Sequence, residues 1–331
     1  MLSKTTAPCQ DFGYAPDDHW AKLPPGWDWR EVAGVATDSK DRVYVFNRGN
    51  HPLMIFAPDG TFLESWGEGL FVRAHGITIG PDDTVYCTDD VGHAIRVFGP
   101  DGILLRTLGD GKPSDTGATS MDYRSIRRAG PPFHYPCNLA IAPDGTLFVC
   151  DGYGNARVHA FSPTGTHLFS CGEPGSRPGQ FNIPHGIAID REGTIYVADR
   201  ENSRIQLFTP KGEYVSEWTD VARPCEVFID GTGNVLVAEL GYVAGMWPGT
   251  TAPADAPGGR VSVFDRAGRL LARWGGGRNP CAAGDFFAPH DICADSRGDL
   301  YVAEVVLSAG GNGKLVSTDC HSLQKFRISH R

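Results

Sequence analysis

Apolar residues along this chain recur in short runs that alternate with polar ones or are continuously β-branched and aromatic, as in RVYVFN, TIYVAD and GRVSVF. P-D-G, D-G and similar turn pairs separate them, which predicts short strands joined into antiparallel meanders. No helical periodicity of comparable length competes. The pattern then repeats. Copies begin at Gly34 (GVATDSKDRVYVFNRGNHPLMIFAPDGTFLESWGE), Gly76, Asn138, Gly186, Glu226 and Asp291. One four-stranded sheet cannot bury its faces alone, so repeats of roughly 40 residues close radially. The expected fold is all-β, a six-bladed β-propeller of four-stranded antiparallel blades over residues 31–331. The last copy lacks a clear final strand. Residues 1–30 are expected to close that blade, with a donor strand inside CQDFGYAPDD.

Composition narrows the function classes. The chain has 331 residues, with 42 glycines and 24 prolines spaced between the apolar runs as turns rather than disorder. A net charge of −9 without a Lys/Arg-rich run argues against a nucleic-acid partner. Apolar segments fall far short of the roughly 20 residues a membrane helix needs, so no membrane span is expected. The N-terminal segment has no apolar core of the kind a secretory leader carries. Nine cysteines without C-x-x-C pairs predict neither a disulfide framework nor a thiolate zinc site, and point to a reducing cytoplasm.

Stacking the six copies exposes a chemical column just before each innermost strand: Ala33, His75, Cys137, His185, Cys225 and His290. Histidine occupies alternate blades, a third of a turn apart, so three imidazoles should converge on the axis. A lone histidine at a strand start is usually a satisfied polar residue. Three in phase instead form the ligand set of a catalytic zinc with an open fourth position. Cys137 and Cys225 are read as small buried side chains lining the channel. His51, His93, His159 and His167 fall at scattered positions and are expected on the surface; His134 is near the mouth without a symmetry partner.

Loops between second and third strands open on the same face and bring Arg48, Tyr153 and Arg200 towards the histidines. Two arginines across the wheel suit an anionic substrate, although ion pairing with acidic neighbours is the plainer reading. The long segments 111–135, 241–259 and 305–321 emerge there as walls. Tyr123, Phe133, Met246 and Trp247 are expected at an apolar rim.

The frame GIAID…GTIYVADRENSRI resembles the NHL family of β-propellers across residues 31–331. The segments VFNRGNH, AHGITIG, DGYGNARV, RPGQFNIPHGIAI, VADRENSRIQ and APHDI resemble, more narrowly, the peptidyl-α-hydroxyglycine α-amidating lyases. That resemblance implies a catalytic zinc on His75, His185 and His290, Tyr153 as base, and Arg48 and Arg200 lining the site. It also implies a structural calcium held by Asp291 and the carbonyls of Val35 and Ile77. The substrate class is a small anionic α-hydroxy-amide, R–CO–NH–CH(OH)–COO⁻, split to a primary amide and glyoxylate. Gly154 and Ala198 stand where the animal enzymes of the family carry disulfide cysteines, so those bridges cannot form. Two rivals remain. A metal-dependent hydrolase or lactonase would use carboxylate and amide ligands around calcium, and a non-catalytic scaffold would need no aligned histidines.

Overall fold

The computed structural model describes residues 13–328, apart from residues 18, 121 and 247–249. Strand β1 (Tyr14–Asp17) comes first, and four strands follow in each of five sheets. These are β2–β5 (Val32–Thr37, Val43–Asn47, Leu53–Phe56, Phe62–Trp66) and β6–β9 (Ala74–Ile79, Val85–Asp89, Ala94–Phe98, Leu104–Leu108). Then come β10–β13 (Pro136–Ile141, Leu147–Asp151, Arg157–Phe161, His167–Cys171) and β14–β17 (Pro184–Ile189, Ile195–Asp199, Arg204–Phe208, Tyr214–Trp218). The fifth sheet is β18–β21 (Pro224–Ile229, Val235–Glu239, Arg260–Phe264, Leu270–Gly275). Strands β22–β24 (Pro289–Ala294, Leu300–Glu304, Leu323–Ile328) take β1 as their fourth neighbour. Each innermost strand touches the next, and β22 meets β2, so the wheel closes as six antiparallel blades.

The core is divided into wedges between neighbouring sheets, because each sheet is apolar on both faces. Phe46, Leu53, Ile55, Ile77 and Cys87 fill one such wedge, and Leu236, Val261, Ile292 and Val302 another. A buried polar residue at the end of every second strand pins the segment entering its blade. Asp89 accepts from the amides of Val72 and Arg73, Asp199 from Asn182, and Glu304 from Phe287 and Ala288.

β1 pairs with β24 from Tyr14 opposite Ile328 to Asp17 opposite Lys325. Just beyond it Trp20 is buried between Phe56 and Tyr301, its indole donating to the Pro58 carbonyl. Losing a buried tryptophan costs about 3–5 kcal/mol, so deleting residues 1–20 should lower the melting temperature by roughly 10 °C. An unchanged calorimetric melt would show that this strand contributes nothing to closure.

Three expectations are corrected. Cys281 and Cys320 form a disulfide across 39 residues, where the sequence reading expected no disulfide framework. The pair is invisible to spacing because it forms only where the segment entering blade six meets the loop between β23 and β24. A bridge of this span is typically worth 2–4 kcal/mol, so a Cys281→Ser/Cys320→Ser double variant should melt several degrees lower in calorimetry. His159 and His93 are buried rather than on the surface. Segment 111–135 folds over blade three and encloses them: Asn155, which touches His159, donates to Gly130 O, and Tyr135 N donates to His93. Phe133 is likewise packed inside on Phe161 instead of at the rim, whereas Met246 is exposed and Tyr123 half-buried. Trp247 lies outside the described residues.

Candidate active site on the propeller axis

All six innermost strands break register at the chemical column. The ladder skips between Val32 and Gly34, Ala74 and Ile77, Pro136 and Asn138, Pro184 and Ile187, Pro224 and Glu226, and Pro289 and Asp291. A bulge re-aims the side chain it carries. In four blades proline precedes the column residue, as suits the first residue of a strand. The P-H-G and P-H-D motifs are therefore bulges that turn histidine into the channel.

The three rings stand close to an equilateral triangle. Centroid separations are 4.8 Å for His75–His185, 4.8 Å for His75–His290 and 4.7 Å for His185–His290. Imidazoles bonded to one ion at about 2.1 Å would have centroids about 5 Å apart, so the triangle fits a tridentate site. The intervening blades set the tautomer. His75 Nδ1 lies 2.8 Å from Cys137 O, His185 Nδ1 2.9 Å from Cys225 O, and His290 Nδ1 2.7 Å from Ala33 O. A carbonyl only accepts, so each Nδ1 carries the proton and each Nε2 keeps its lone pair. The sequence reading missed this use of Ala33, Cys137 and Cys225, although they occupy the same column.

Burial, then the neighbouring positive charge of histidines or arginines, holds all three imidazoles well below the usual histidine pKa of 6.5, ready as neutral donors. The unfolded chain takes up protons on these groups first. The metal-free protein should therefore lose stability progressively as pH falls below about 6.5, readable as a falling melting temperature. A ligand atom of Cys137 also lies within 4.8 Å of those of His75 and His185. Burial pushes that thiol well above its ordinary range.

Tyr153 is buried beside the triangle, its hydroxyl 3.2 Å from His75 Nε2 and 3.0 Å from His185 Nε2. Arg200 Nη1 donates to the same oxygen at 3.1 Å. Burial raises the phenol's pKa and Arg200 pulls it down. Arg48 occupies the equivalent loop position in blade one but is turned aside, donating from Nε to Ala74 O and from Nη1 to Glu31 and Ser308. Both arginines are thus ion-paired, Arg48 with Glu31 and Arg200 with Glu201, while Asp199 pairs with Arg204. A cavity of about 310 Å³ opens beside Arg48, lined also by Arg30, Arg73, Phe71, Ser308 and Asn312.

One residue further into the channel, Asn138, Glu226 and Asp291 take the positions held elsewhere by Gly76, Gly186 and Gly34. Each leans over one of those glycines. A Cβ would come within 2.5 Å of Asn138 Oδ1, 2.7 Å of Glu226 Oε1 and 3.2 Å of Asp291 Oδ2. The Val35 amide donates to Asp291, and Asn138 donates to Glu226. Burial pushes both carboxyls upward, Glu226 to about 8, and the charge of Glu226 raises Asp291 further. An all-oxygen donor set of this kind fits a hard cation such as calcium. A larger cavity of about 590 Å³ is lined by these three residues and by none of the histidines.

A six-bladed propeller with a buried imidazole triangle and a phenol on its axis defines a class of ring proteins with a central polar site. The model of the NHL repeat matches residues 181–208, the segment that contains His185 and Arg200. NHL repeat-containing protein 3 of Mus musculus is 31% identical over 294 residues, 82% of this chain and 76% of that protein. The chain belongs to this NHL-repeat family. Peptidyl-glycine alpha-amidating monooxygenase B of Xenopus laevis is 30% identical over 91% of this chain, which spans only 35% of that protein's length. Peptidyl-alpha-hydroxyglycine alpha-amidating lyase 2 of Drosophila melanogaster is 26% identical over 51% of this chain and 39% of its own. No helix among the described residues is long and apolar enough to cross a membrane.

Proposed function

We propose that the protein is a zinc-dependent carbon–nitrogen lyase acting on N-acyl-α-hydroxyglycine-type carbinolamides, with a primary amide and glyoxylate as products. One observation carries this reading: a buried phenol in hydrogen-bond reach of two axial imidazole lone pairs and one guanidinium. The similarity to amidating enzymes supports it.

His75, His185 and His290 would hold the zinc through Nε2. When bound, the ion supplies Lewis acidity towards the substrate's oxygens and positive charge that favours the Tyr153 phenolate. Tyr153 takes the proton of the substrate hydroxyl as general base. The electron pair left on oxygen closes the new carbonyl, the C–N bond breaks, and the proton on Tyr153 passes to the departing amide nitrogen. Arg200 keeps the phenol oxygen oriented throughout. Arg48, which lines the cavity of about 310 Å³, would pair with the substrate carboxylate. Asp291, with the carbonyls of Val35 and Ile77 and with Glu226 near it, would hold a structural calcium that rigidifies the channel under the histidines.

Incubation of the zinc-loaded protein with α-hydroxyhippurate should release benzamide and glyoxylate in equal amounts. Hydrolysis to benzoate, or no reaction with zinc present, would reject the lyase. The histidine triangle disfavours the calcium lactonase, and the tautomer-fixing carbonyls disfavour a plain scaffold, which needs neither.

A further inference from the structure

Behind Arg200 the channel face carries a polar network, Glu201 and Arg223, that the reaction above does not use. Arg200 lies in the 3-10 turn Arg200–Asn202, where its neighbour Glu201 accepts from Arg200 Nε at 2.9 Å. Glu201 is then gripped from the other side by Arg223, with Nη2 to Oε1 at 2.9 Å and Nε to Oε2 at 3.1 Å. Arg223 is fully buried and directs its remaining donors to the carbonyls of Gly241 and Gly245, both at 2.9 Å. The hydroxyl of Thr250, further along the same insertion, also donates to Glu201.

Two guanidiniums therefore share one buried carboxylate. The fork-to-fork contact on the Arg223 side fixes the carboxylate plane, and that plane fixes the direction from which Arg200 reaches Tyr153. A long arginine stem has little rotamer preference of its own, so such a grip determines its position. The insertion is tied onward: Gly245 N donates to Ala309 O, at the end of helix α1 (Val306–Ala309), whose Ser308 touches Arg48 and Glu31.

We infer that Glu201 and Arg223 are positioning residues that place Arg200 on the Tyr153 hydroxyl, and that Gly241, Gly245 and Thr250 act on the reaction through them. The inference rests on the lyase reading for its kinetic test. Among the described residues neither has a hydrogen bond to Tyr153 or to the three histidines, and both act through Arg200.

The test is a cycle of variants in the zinc-loaded full chain with α-hydroxyhippurate. Glu201→Gln should lower kcat about 10- to 100-fold, the scale of one charge-assisted hydrogen bond, with KM changed less than about threefold. In an Arg200→Ala background the same substitution should change kcat less than about twofold, because its route to the site is already gone. Equal losses in both backgrounds, or wild-type kcat in Glu201→Gln, would overturn the inference. If Glu201→Gln does not fold, Thr250→Val replaces it in the cycle: a loss of about three- to tenfold confined to the Arg200 background supports the assignment, and wild-type kcat rejects it. Should the wild-type protein release no benzamide, the lyase reading falls by itself. The crystal structure of the folded variant then decides: Arg200 displaced from Tyr153 upholds the positioning role, and Arg200 still in place removes it.

Discussion

Replacing His185 by alanine is expected to leave a folded propeller that retains no stoichiometric zinc and cleaves α-hydroxyhippurate at least about a thousandfold more slowly. Two imidazoles make a poor zinc site, and His185 Nε2 also lies 3.0 Å from the Tyr153 hydroxyl, so one substitution removes a ligand and one of the phenol's neighbours. The fold should survive because His185 Nδ1 makes a single bond to Cys225 O, while the bulge that carries it is set by the backbone. Metal analysis of the purified variant after zinc loading provides the readout. Cys137→Ala is the necessary partner experiment. It should bind zinc as the wild type does, and metal loss there with retention in His290→Ala would transfer the third ligand position to sulfur.

The second large effect is expected from Tyr153→Phe, which deletes one oxygen. Turnover should drop about 10²- to 10⁴-fold, the range of general acid–base catalysis, while zinc content and melting temperature stay near wild type. Tyr153 packs its ring within the wedge of Cys137, Ala156 and Ile183, and phenylalanine preserves that packing. Its hydroxyl meets groups of the site itself: His75, His185 and Arg200. Steady-state kinetics with metal quantified in the same preparation separates the loss of a base from the loss of an ion. Wild-type kcat in a zinc-replete variant would remove Tyr153 from the proton transfer and leave the histidines to be explained otherwise.

The histidine column is legible in the sequence because its phase is a property of the repeat. Each copy enters its innermost strand at the same point, so equal positions along the repeat become equal positions around an axis. Which ring nitrogen faces inward is not legible there. That depends on the carbonyls of Ala33, Cys137 and Cys225 in the following blades, and a carbonyl has no signature in a string of side chains. Arg48 and Arg200 share a repeat position, yet the fold turns one to Tyr153 and the other to Ala74 O and Glu31, because different insertions abut them. A signal was available for Glu226 and Asn138. They interrupt a column where Gly34, Gly76 and Gly186 stand in other blades, and polar residues at a glycine position need room from a neighbour.

Strand order, blade number and the angular spacing of the three histidines follow from the sequence by itself, since alternation and turn chemistry act over a few residues and the repeat copies them around a closed ring. Tertiary structure alone decided the direction of each imidazole, the enclosure of His93 and His159, the joining of Cys281 to Cys320, and the Glu201–Arg223 grip on Arg200. Those contacts depend on how loops and neighbouring blades meet in space, and a pattern read over a few residues carries no record of where they meet.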